Sequence, residues 1–255
     1  MPPDLVTQLH TALRDLSLPL PSLTWLRTLI PTRNPPPPLA PLMATARARL
    51  LAADLTTPDL LDATWTSENI LPIRMLNNPE LDLGHLPRDI ILQVVDIENI
   101  SRSRWEQVEE LEAIARGEQT RGREVIRLPL AGEEGDSDDD DDDGNAGVRG
   151  RGVGGDLEAE VTRKPATHKL VLQDCKGQRV CAMELSKVQR VGVGTTNIGE
   201  KMIVRKNTRI ARGLLLLEAD KCTLLGGRVE DWHKQWVEER LERLKVAVGA
   251  EGQGR

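Results

Sequence analysis

Apolar residues near the N-terminus recur with the spacing of short amphipathic helices. The pattern covers residues 5–16, 22–30 and 42–55, where leucines three or four positions apart would share one face. Thr57, followed by a proline and an aspartate, has the composition of an N-cap and first turn for a fourth helix. Because short helices are marginal in isolation, we expect an N-terminal helical segment over residues 1–66 whose helices pack together.

Farther along the chain the pattern changes to β-branched runs of strand length. The runs are residues 90–97, 169–173, 179–184, 201–204 and 209–218, the last extended by residues 222–225. Five successive strands are the number found in an OB-type barrel. We expect Leu170, Val180, Ile203 and Leu216 to share the interior of that barrel.

The C-terminal pattern completes the fold class. Apolar residues from Val229 to Leu244 recur at helical spacing, with charged residues on the other side. The predicted fold class is α+β: a short N-terminal helical segment, a five-stranded OB-type β-barrel with a long insertion after its first strand, and a C-terminal helix. The OB-fold domain would span residues 67–248, followed by a disordered tail of residues 249–255.

The predicted insertion, about residues 101–165, interrupts the strand pattern with low-complexity sequence. Its core, residues 131–163, contains 12 acidic and three basic residues, so it carries more negative charge than the formal net −6 of the chain. Such a segment cannot bury enough apolar surface to fold, and we expect disorder. The remainder of the chain is mildly basic, too weakly so to indicate a nucleic-acid-binding protein.

No motif predicts an enzyme. The glycines of residues 150–155 have dinucleotide-binding spacing but follow an acidic run rather than a strand. Residues 194–201 approach a phosphate-binding loop, except that Glu200 replaces its essential lysine. The four histidines and three cysteines are scattered, without metal-ligand spacing. We therefore predict no catalytic residues, no cofactor, no metal and no small-molecule substrate, and no apolar run is long enough for a membrane span.

The aromatic residues argue against tight, independent binding of single-stranded DNA. The chain has five tryptophans but no tyrosine or phenylalanine, and every tryptophan lies outside the predicted strands. OB folds that grip single strands stack bases on aromatic side chains of the barrel. Weak, salt-sensitive phosphate contacts remain possible for Arg179, Lys187, Arg205, Lys206 and Arg209.

Several segments occur in a characteristic order along the chain. They are Ser-Glu-Asn-Ile-Leu-Pro-Ile at 67–73, the strand at 91–99, Met-Glu at 183–184, Gly-Leu-Leu-Leu-Leu at 213–217 and Leu-Leu-Gly-Gly-Arg-Val at 224–229. This order resembles the RecQ-mediated genome instability protein family, the OB-fold subunits that accompany topoisomerase III and a RecQ helicase. The likeness covers most of the chain and is sharpest over residues 201–229.

The resemblance implies a role for the insertion. In that family the insertion after the first strand reaches into the DNA gate of the topoisomerase and tunes its opening and closing. This favours decatenation and the dissolution of double Holliday junctions. Here the loop would begin near Ser101 and return near Lys164. Its expected partner-facing residues are Trp105, Val108, Leu111 and Ile114, together with residues 125–130.

Lys201 matches a basic position of the family motif, so it is a further expected partner contact; a solvated strand-end lysine is the alternative interpretation.

The chain also departs from the family. Ile198-Gly199 stands where Pro-Gly is usual, and aromatic residues are missing after Met183-Glu184 and between Asn207 and Gly213.

Two functions from different classes remain open. The first is a non-catalytic accessory subunit of a topoisomerase III–RecQ helicase complex, acting in the nucleus in DNA replication, repair and homologous recombination. The second is a free-standing single-strand nucleic-acid-binding OB protein that would use the barrel and the Arg/Gly segment.

Overall fold

The computed structural model describes most of the chain outside the insertion. The described residues are 4–30, 37–78, 80, 82–117 and 166–252, with side chains up to residue 249. The expected disorder of residues 131–163, the glycines of 150–155 and the apolar run 125–130 lie outside them. Within the described ranges, no helix combines the length and the apolar character that a bilayer crossing requires.

The N-terminal part folds into short helices around a small aliphatic core. In the described residues these helices are α1 (Leu5–Arg14), α2 (Leu23–Leu29), α3 (Leu39–Ala52), α4 (Ala63–Glu68) and α5 (Ile73–Leu76). Leu9, Leu13, Leu26 and Ala46 are fully buried among the first three helices. The helical spacing of the leucines therefore predicted the first three helices, although Leu16 follows α1 and is exposed rather than part of the buried face.

The start of α4 differs from the sequence prediction. Thr57 lies in a turn, whereas Asp62 is the N-cap, and its carboxylate accepts the backbone N–H groups of Thr64 and Trp65 at 3.0 Å. The cap satisfies two N–H groups that a helix start otherwise leaves unpaired. It also fixes the turn from which Trp65 packs near Ile91 on the outer face of the barrel.

The second part is a mixed sheet of eight strands, within the described residues, followed by a long helix. The elements are β1 (Gly84–His85), β2 (Ile90–Asn99), α6 (Arg104–Ala115), β3 (His168–Gln173), β4 (Arg179–Glu184), β5 (Lys201–Val204), β6 (Arg209–Ala211), β7 (Leu214–Leu217), β8 (Cys222–Gly226) and α7 (Glu230–Gly252). The strand order is β1-β6-β7-β4-β3-β2-β5-β8, and all pairs are antiparallel except β4 with β7.

Two features curl this sheet. The first half of β2 pairs with β5 and the second half with β3, with a register shift between Val94 and Asp96 where the strand changes partner. In addition, β7 and β8 lie near opposite ends of the strand order, yet only residues 218–221 connect them. A connection this short spans at most about 18 Å, so the two ends of the sheet must approach each other.

The count of five strands was wrong, because residues 209–218 do not form one strand. They form the β6–β7 hairpin, in which Arg212 and Gly213 have φ values of 47° and 79°. Two successive left-handed residues are the signature of a type I′ turn, and the glycine was the visible signal for it. Residues 222–225 likewise do not extend that strand: β8 pairs with β5 at the far end of the order.

The expected set of interior residues was also partly wrong. Leu170 and Val180 lie in the main core, as predicted. Ile203 instead faces outward and packs against Leu55 of the helical segment. Leu216 is only half-buried, whereas its two sequence neighbours are fully buried. The helical segment covers the outer face of β5, so all four residues of this strand are buried. Its inward- and outward-facing positions are then all apolar or buried, and the sequence does not show which is which.

The helical segment meets the barrel most closely at Gly227. This residue has a φ of +92°, and a Cβ added to it would lie 2.2 Å from the carbonyl oxygen of Leu51 in α3. A side chain here would meet both an unfavourable backbone conformation and a backbone atom that cannot swing away. The close contact of the two parts therefore requires glycine.

Gly227→Ala is expected to lower the free energy of unfolding by roughly 2–4 kcal/mol, since it adds left-handed strain to a backbone clash. Urea denaturation monitored by tryptophan fluorescence measures the change. The matched control is Gly249→Ala in α7, where an added Cβ meets nothing within 4 Å. That variant should be stabilised by about 0.5–1 kcal/mol through helix propensity. Equal stability of the two variants would contradict the close packing at Gly227.

Candidate partner-binding surface

The insertion leaves and re-enters the barrel at one point. The N–H of Ile100 donates to the carbonyl of Thr167 at 3.0 Å, and the N–H of Thr167 donates to the Ser101 hydroxyl at 2.7 Å. These two bonds continue the β2–β3 pairing past its last strand residues. The residues between 101 and 167 are therefore anchored at a narrow neck.

A buried carboxylate fixes the returning side of the neck. Glu184 accepts the backbone N–H of His168 at 2.9 Å and that of Val188 at 3.0 Å, and one oxygen lies 2.6 Å from the His168 ring nitrogen Nδ1. Burial alone would raise the pKa of Glu184, but these hydrogen bonds hold it below its usual value. Glu184 thus ties the first residue of β3 to the end of β4.

The first helix after the neck, α6, is well formed. Ser103 and Glu106 form a reciprocal capping box, in which each side chain accepts the backbone N–H of the other residue. Gln107 then donates to the carbonyl of Asn99 at 3.0 Å, which fixes the helix to the end of β2. The beginning of the insertion therefore belongs to the folded body.

The α6 helix lies beside α7, and the two run in the same direction. Arg240 contacts Gln107 at 3.5 Å, and one turn further along both helices Lys245 pairs with Glu112 at 2.9 Å. The α7 helix is itself fixed to the barrel because the Trp236 indole donates to Asp96 at 2.6 Å. The barrel, α7 and α6 thus form one continuous support for the insertion.

The four residues predicted to face a partner do not form one surface. Val108 is buried and Leu111 is half-buried, so both contribute to the inner side of α6. Trp105 and Ile114 are each 58% exposed, and the Trp105 indole donates to Glu109 at 2.9 Å on the surface. On exposure alone, Trp105 and Ile114 are the members of this set that a partner can reach.

Lys201 is not accessible, so the structure contradicts both interpretations of this residue from sequence. Its side chain is fully buried, and its ammonium donates to the carbonyls of Ala53 and Gly199, both at 2.6 Å. Ala53 follows α3, whereas Gly199 precedes β5. Lys201 therefore joins the helical segment to the barrel and offers no surface to a partner.

Two further polar side chains, Asp54 and Gln93, complete this buried contact. We call the three residues Lys201, Asp54 and Gln93 the seam network. Gln93 is fully buried; it donates to Asp54 at 2.7 Å and accepts the N–H of Leu55 at 3.1 Å. Sequence reasoning missed both Gln93 and Asp54. The available signal was a glutamine inside the apolar run of β2, where an unpaired amide would be costly.

Burial and charge determine the ionisation of the seam network. Burial lowers the pKa of Lys201 to about 8, although the nearby Asp54 acts in the opposite direction. Burial alone would raise the pKa of Asp54, but hydrogen bonds from Gln93 and Thr56 hold it below its usual value. At neutral pH the network therefore contains a carboxylate and a largely protonated amine.

The five basic residues predicted to contact phosphate are mostly engaged within the protein. Arg205 pairs with Asp89 at 2.9 Å, and Arg209 pairs with Glu218. The remaining three differ: Lys187 donates to the carbonyl of Val191 at 2.6 Å, whereas Arg179 and Lys206 are exposed and have no ion pair with any described residue. The five do not form one continuous cationic surface.

Three observations bear on metal binding, thiol reactivity and base stacking among the described residues. No group of three or more His, Cys, Asp or Glu side chains could hold a metal ion there. Burial raises the pKa of the thiols of Cys175 and Cys222 to about 11, which leaves them protonated and weakly nucleophilic at neutral pH. All five tryptophans lie on helices rather than on the barrel strands.

Comparison with known proteins matches both parts of the chain. Residues 65–240 match the family model described as "RMI1, N-terminal OB-fold domain", and residues 13–58 match "RMI1, N-terminal helical domain". The chain is similar to RecQ-mediated genome instability protein 1 of Schizosaccharomyces pombe. The two are 28% identical over 203 residues, which cover 79% of this chain and 81% of that protein.

Lys201 gives the seam network a measurable pH dependence. Its pKa is lowered from 10.5 to about 8 on folding. Between these values the unfolded chain holds a proton that the folded protein has released, so the free energy of unfolding should rise with pH, by about 3 kcal/mol in total. Lys201→Met removes this contribution, so the stability of wild type relative to the variant should increase across that window in urea titrations.

Lys206→Met is the matched control for this measurement, since Lys206 is an exposed lysine without an ion pair among the described residues. Its stability should follow that of the wild type at every pH. If the free energies of unfolding of wild type and Lys201→Met changed with pH in parallel, the pKa of Lys201 would not be lowered on folding. That result would contradict the burial of its ammonium group.

Proposed function

The chain belongs to the RMI1 family of genome instability proteins, and we propose that it is a non-catalytic OB-fold subunit of a topoisomerase III–RecQ helicase complex. In this role it promotes decatenation and the dissolution of double Holliday junctions, in the nucleus. The observation that carries the proposal is a supported neck between β2 and β3, which presents the insertion that the family places in the topoisomerase gate.

The geometry supports a mechanism based on rigid presentation. The neck bonds, the capping box of α6 and the contacts between α6 and α7 fix the root of the insertion relative to the barrel. A segment held at such a root can bind the open gate better than the closed one. Only the difference between the two affinities shifts the gate equilibrium, and about 1.4 kcal/mol changes the ratio of the two states tenfold.

The exposed side chains of α6 supply the partner contacts in this proposal. Trp105 and Ile114 are large apolar residues that protrude beside the neck. Aromatic anchors of this kind contribute strongly to protein interfaces once they are desolvated. Residues 1–66 and 67–248 act as one unit in this role, because the seam network and Gly227 hold the helical segment against the barrel.

The alternative function, a free-standing single-strand nucleic-acid-binding protein, has less support. The barrel strands contain no aromatic residue, and three of the five candidate phosphate contacts already bind acceptors within the protein. If this chain alone bound oligonucleotides tightly at physiological salt, the nucleic-acid-binding function would be favoured instead.

Decatenation by topoisomerase III, measured on catenated DNA circles with and without this protein, tests the proposal. Two deletions separate the parts of the insertion. One removes residues 118–165 and keeps α6; because α6 is 12 residues and so about 18 Å long, a flexible linker must join Gly117 to Ala166. The other removes residues 103–164 and joins the two sides of the neck. Both should lose most of the stimulation.

A Trp105→Ala/Ile114→Ala double variant should reduce the stimulation several-fold without unfolding the chain, since both side chains are exposed. The matched control is Leu83→Ala, an equally exposed apolar residue before β1, which should keep full stimulation. If the chain without residues 118–165 stimulates decatenation like the full chain, the insertion mechanism is wrong. Any catalytic turnover by the purified chain would contradict the non-catalytic role.

A further inference from the structure

A groove separate from the neck lies where the helical segment meets the outer face of the barrel; we call it the seam groove. Its volume is about 210 Å³. Aliphatic side chains line its floor, namely Leu18 and Leu20 after α1, Ile91 of β2 and Ile203 of β5. Trp65 of α4 forms one wall. Two parts of the chain that are distant in sequence thus build one apolar depression.

The rim of the seam groove is rich in hydrogen-bond donors. Arg14 and Arg205 both line it, and the Arg14 guanidinium has no hydrogen bond or ion pair with any described residue. The one carboxylate in the lining is Asp89, and both of its oxygens are occupied, by the Arg205 guanidinium and by the N–H of Lys206. An incoming ligand therefore meets the unpaired Arg14 guanidinium and no free carboxylate in this lining.

The dimensions of the groove restrict what it can hold. Small-molecule sites usually enclose about 300–1,000 Å³, so this volume is small for a cofactor. It is suited to one large apolar side chain, whose burial against the aliphatic floor is favourable at about 25 cal/mol per Å². The flanking residues of the same ligand would then lie along the basic rim.

We propose that the seam groove binds an extended acidic segment of a partner protein, which inserts one apolar side chain between Trp65 and the aliphatic floor. One of its carboxylates pairs with the Arg14 guanidinium, since Arg205 is already paired with Asp89. An extended peptide presents alternate side chains to opposite sides, so an apolar residue flanked by acidic ones fits an apolar floor with a basic rim. The interaction weakens with salt, because exposed charges at the rim are screened.

A protein segment fits the groove better than single-stranded nucleic acid. A nucleobase would place much of its polar edge against the aliphatic side chains of Leu18, Leu20 and Ile91, which offer no hydrogen-bond partner, although Ser17 and Asn69 also line the groove. Trp65 is half-buried against the cluster of Leu55 and Ile91, so only part of its ring is available for stacking. The charge of the rim suits both ligands, but the floor favours the peptide.

The test uses the full chain labelled with ¹⁵N at the tryptophan indoles, which gives five N–H signals, and Trp65→Phe assigns the signal of Trp65. The probe is the capped peptide Asp-Glu-Asp-Leu-Asp-Glu-Asp. We expect it to shift the Trp65 signal and to leave that of Trp105 unchanged, with a Kd of about 1 mM or tighter. The same peptide with glycine in place of leucine should bind at least about tenfold more weakly.

Charge reversal then locates the contact. Arg14→Glu should weaken binding at least about tenfold, whereas Arg179→Glu, an exposed arginine without an ion pair among the described residues, should change it less than about twofold. Retention of the other indole signals shows that each variant is folded. Equal losses in both variants, or no shift of Trp65, would overturn the proposal.

An oligothymidylate of about ten nucleotides is the competing probe. If it shifts the Trp65 signal at lower concentration than the peptide and depends on Arg14, the groove is a nucleic-acid site and the peptide proposal is wrong. This proposal does not rest on the proposed function: it is measured without topoisomerase, and Arg14→Glu is outside the neck and α6. A variant that loses peptide binding but still stimulates decatenation, or one that binds the peptide but no longer stimulates decatenation, therefore separates the groove proposal from the proposed function.

Discussion

A buried ammonium group joins the two parts of this molecule. Lys201 lies at the start of β5, yet its Nζ donates to the carbonyl of Ala53, nearly 150 positions earlier in the chain. Desolvating a charge is costly, so the group is tolerated only because two carbonyls and the nearby Asp54 compensate it. Together with the close packing of Gly227 on Leu51 and of Leu55 on Ile203, this contact sets the position of the helical segment on the barrel, and the seam groove lies between the two parts.

The barrel topology determines where the insertion can act. Because β2 is shared between β5 and β3, its C-terminal end projects beyond the closed part of the sheet and leads directly into α6. The α7 helix, fixed to β2 through Trp236 and Asp96, supports α6 from the other side. The insertion is thus presented at one end of the barrel, whereas the seam groove lies on its outer face.

The candidate site was only partly predictable. The position of the insertion followed from the strand pattern and the resemblance, and of the four residues assigned to a partner only Trp105 and Ile114 are exposed. Val108 and Leu111 were assigned to the same surface because the sequence cannot show which side of α6 the fold buries. Lys201 was placed on the surface because a lysine at a strand end is usually solvated, and its carbonyl partners are remote in sequence.

The sequence alone determined most of the local elements, among them α1, α2, α3 and β2 to β5, since helical spacing and β-branched runs act over a few residues. It also determined the position of the insertion and, through the order of short motifs, the family. Only the tertiary structure decided which face of β5 and β7 is interior, that β8 pairs with β5, and that Lys201, Gln93 and Asp54 meet. These outcomes depend on contacts between distant residues, and a linear pattern carries no record of which distant residues become neighbours.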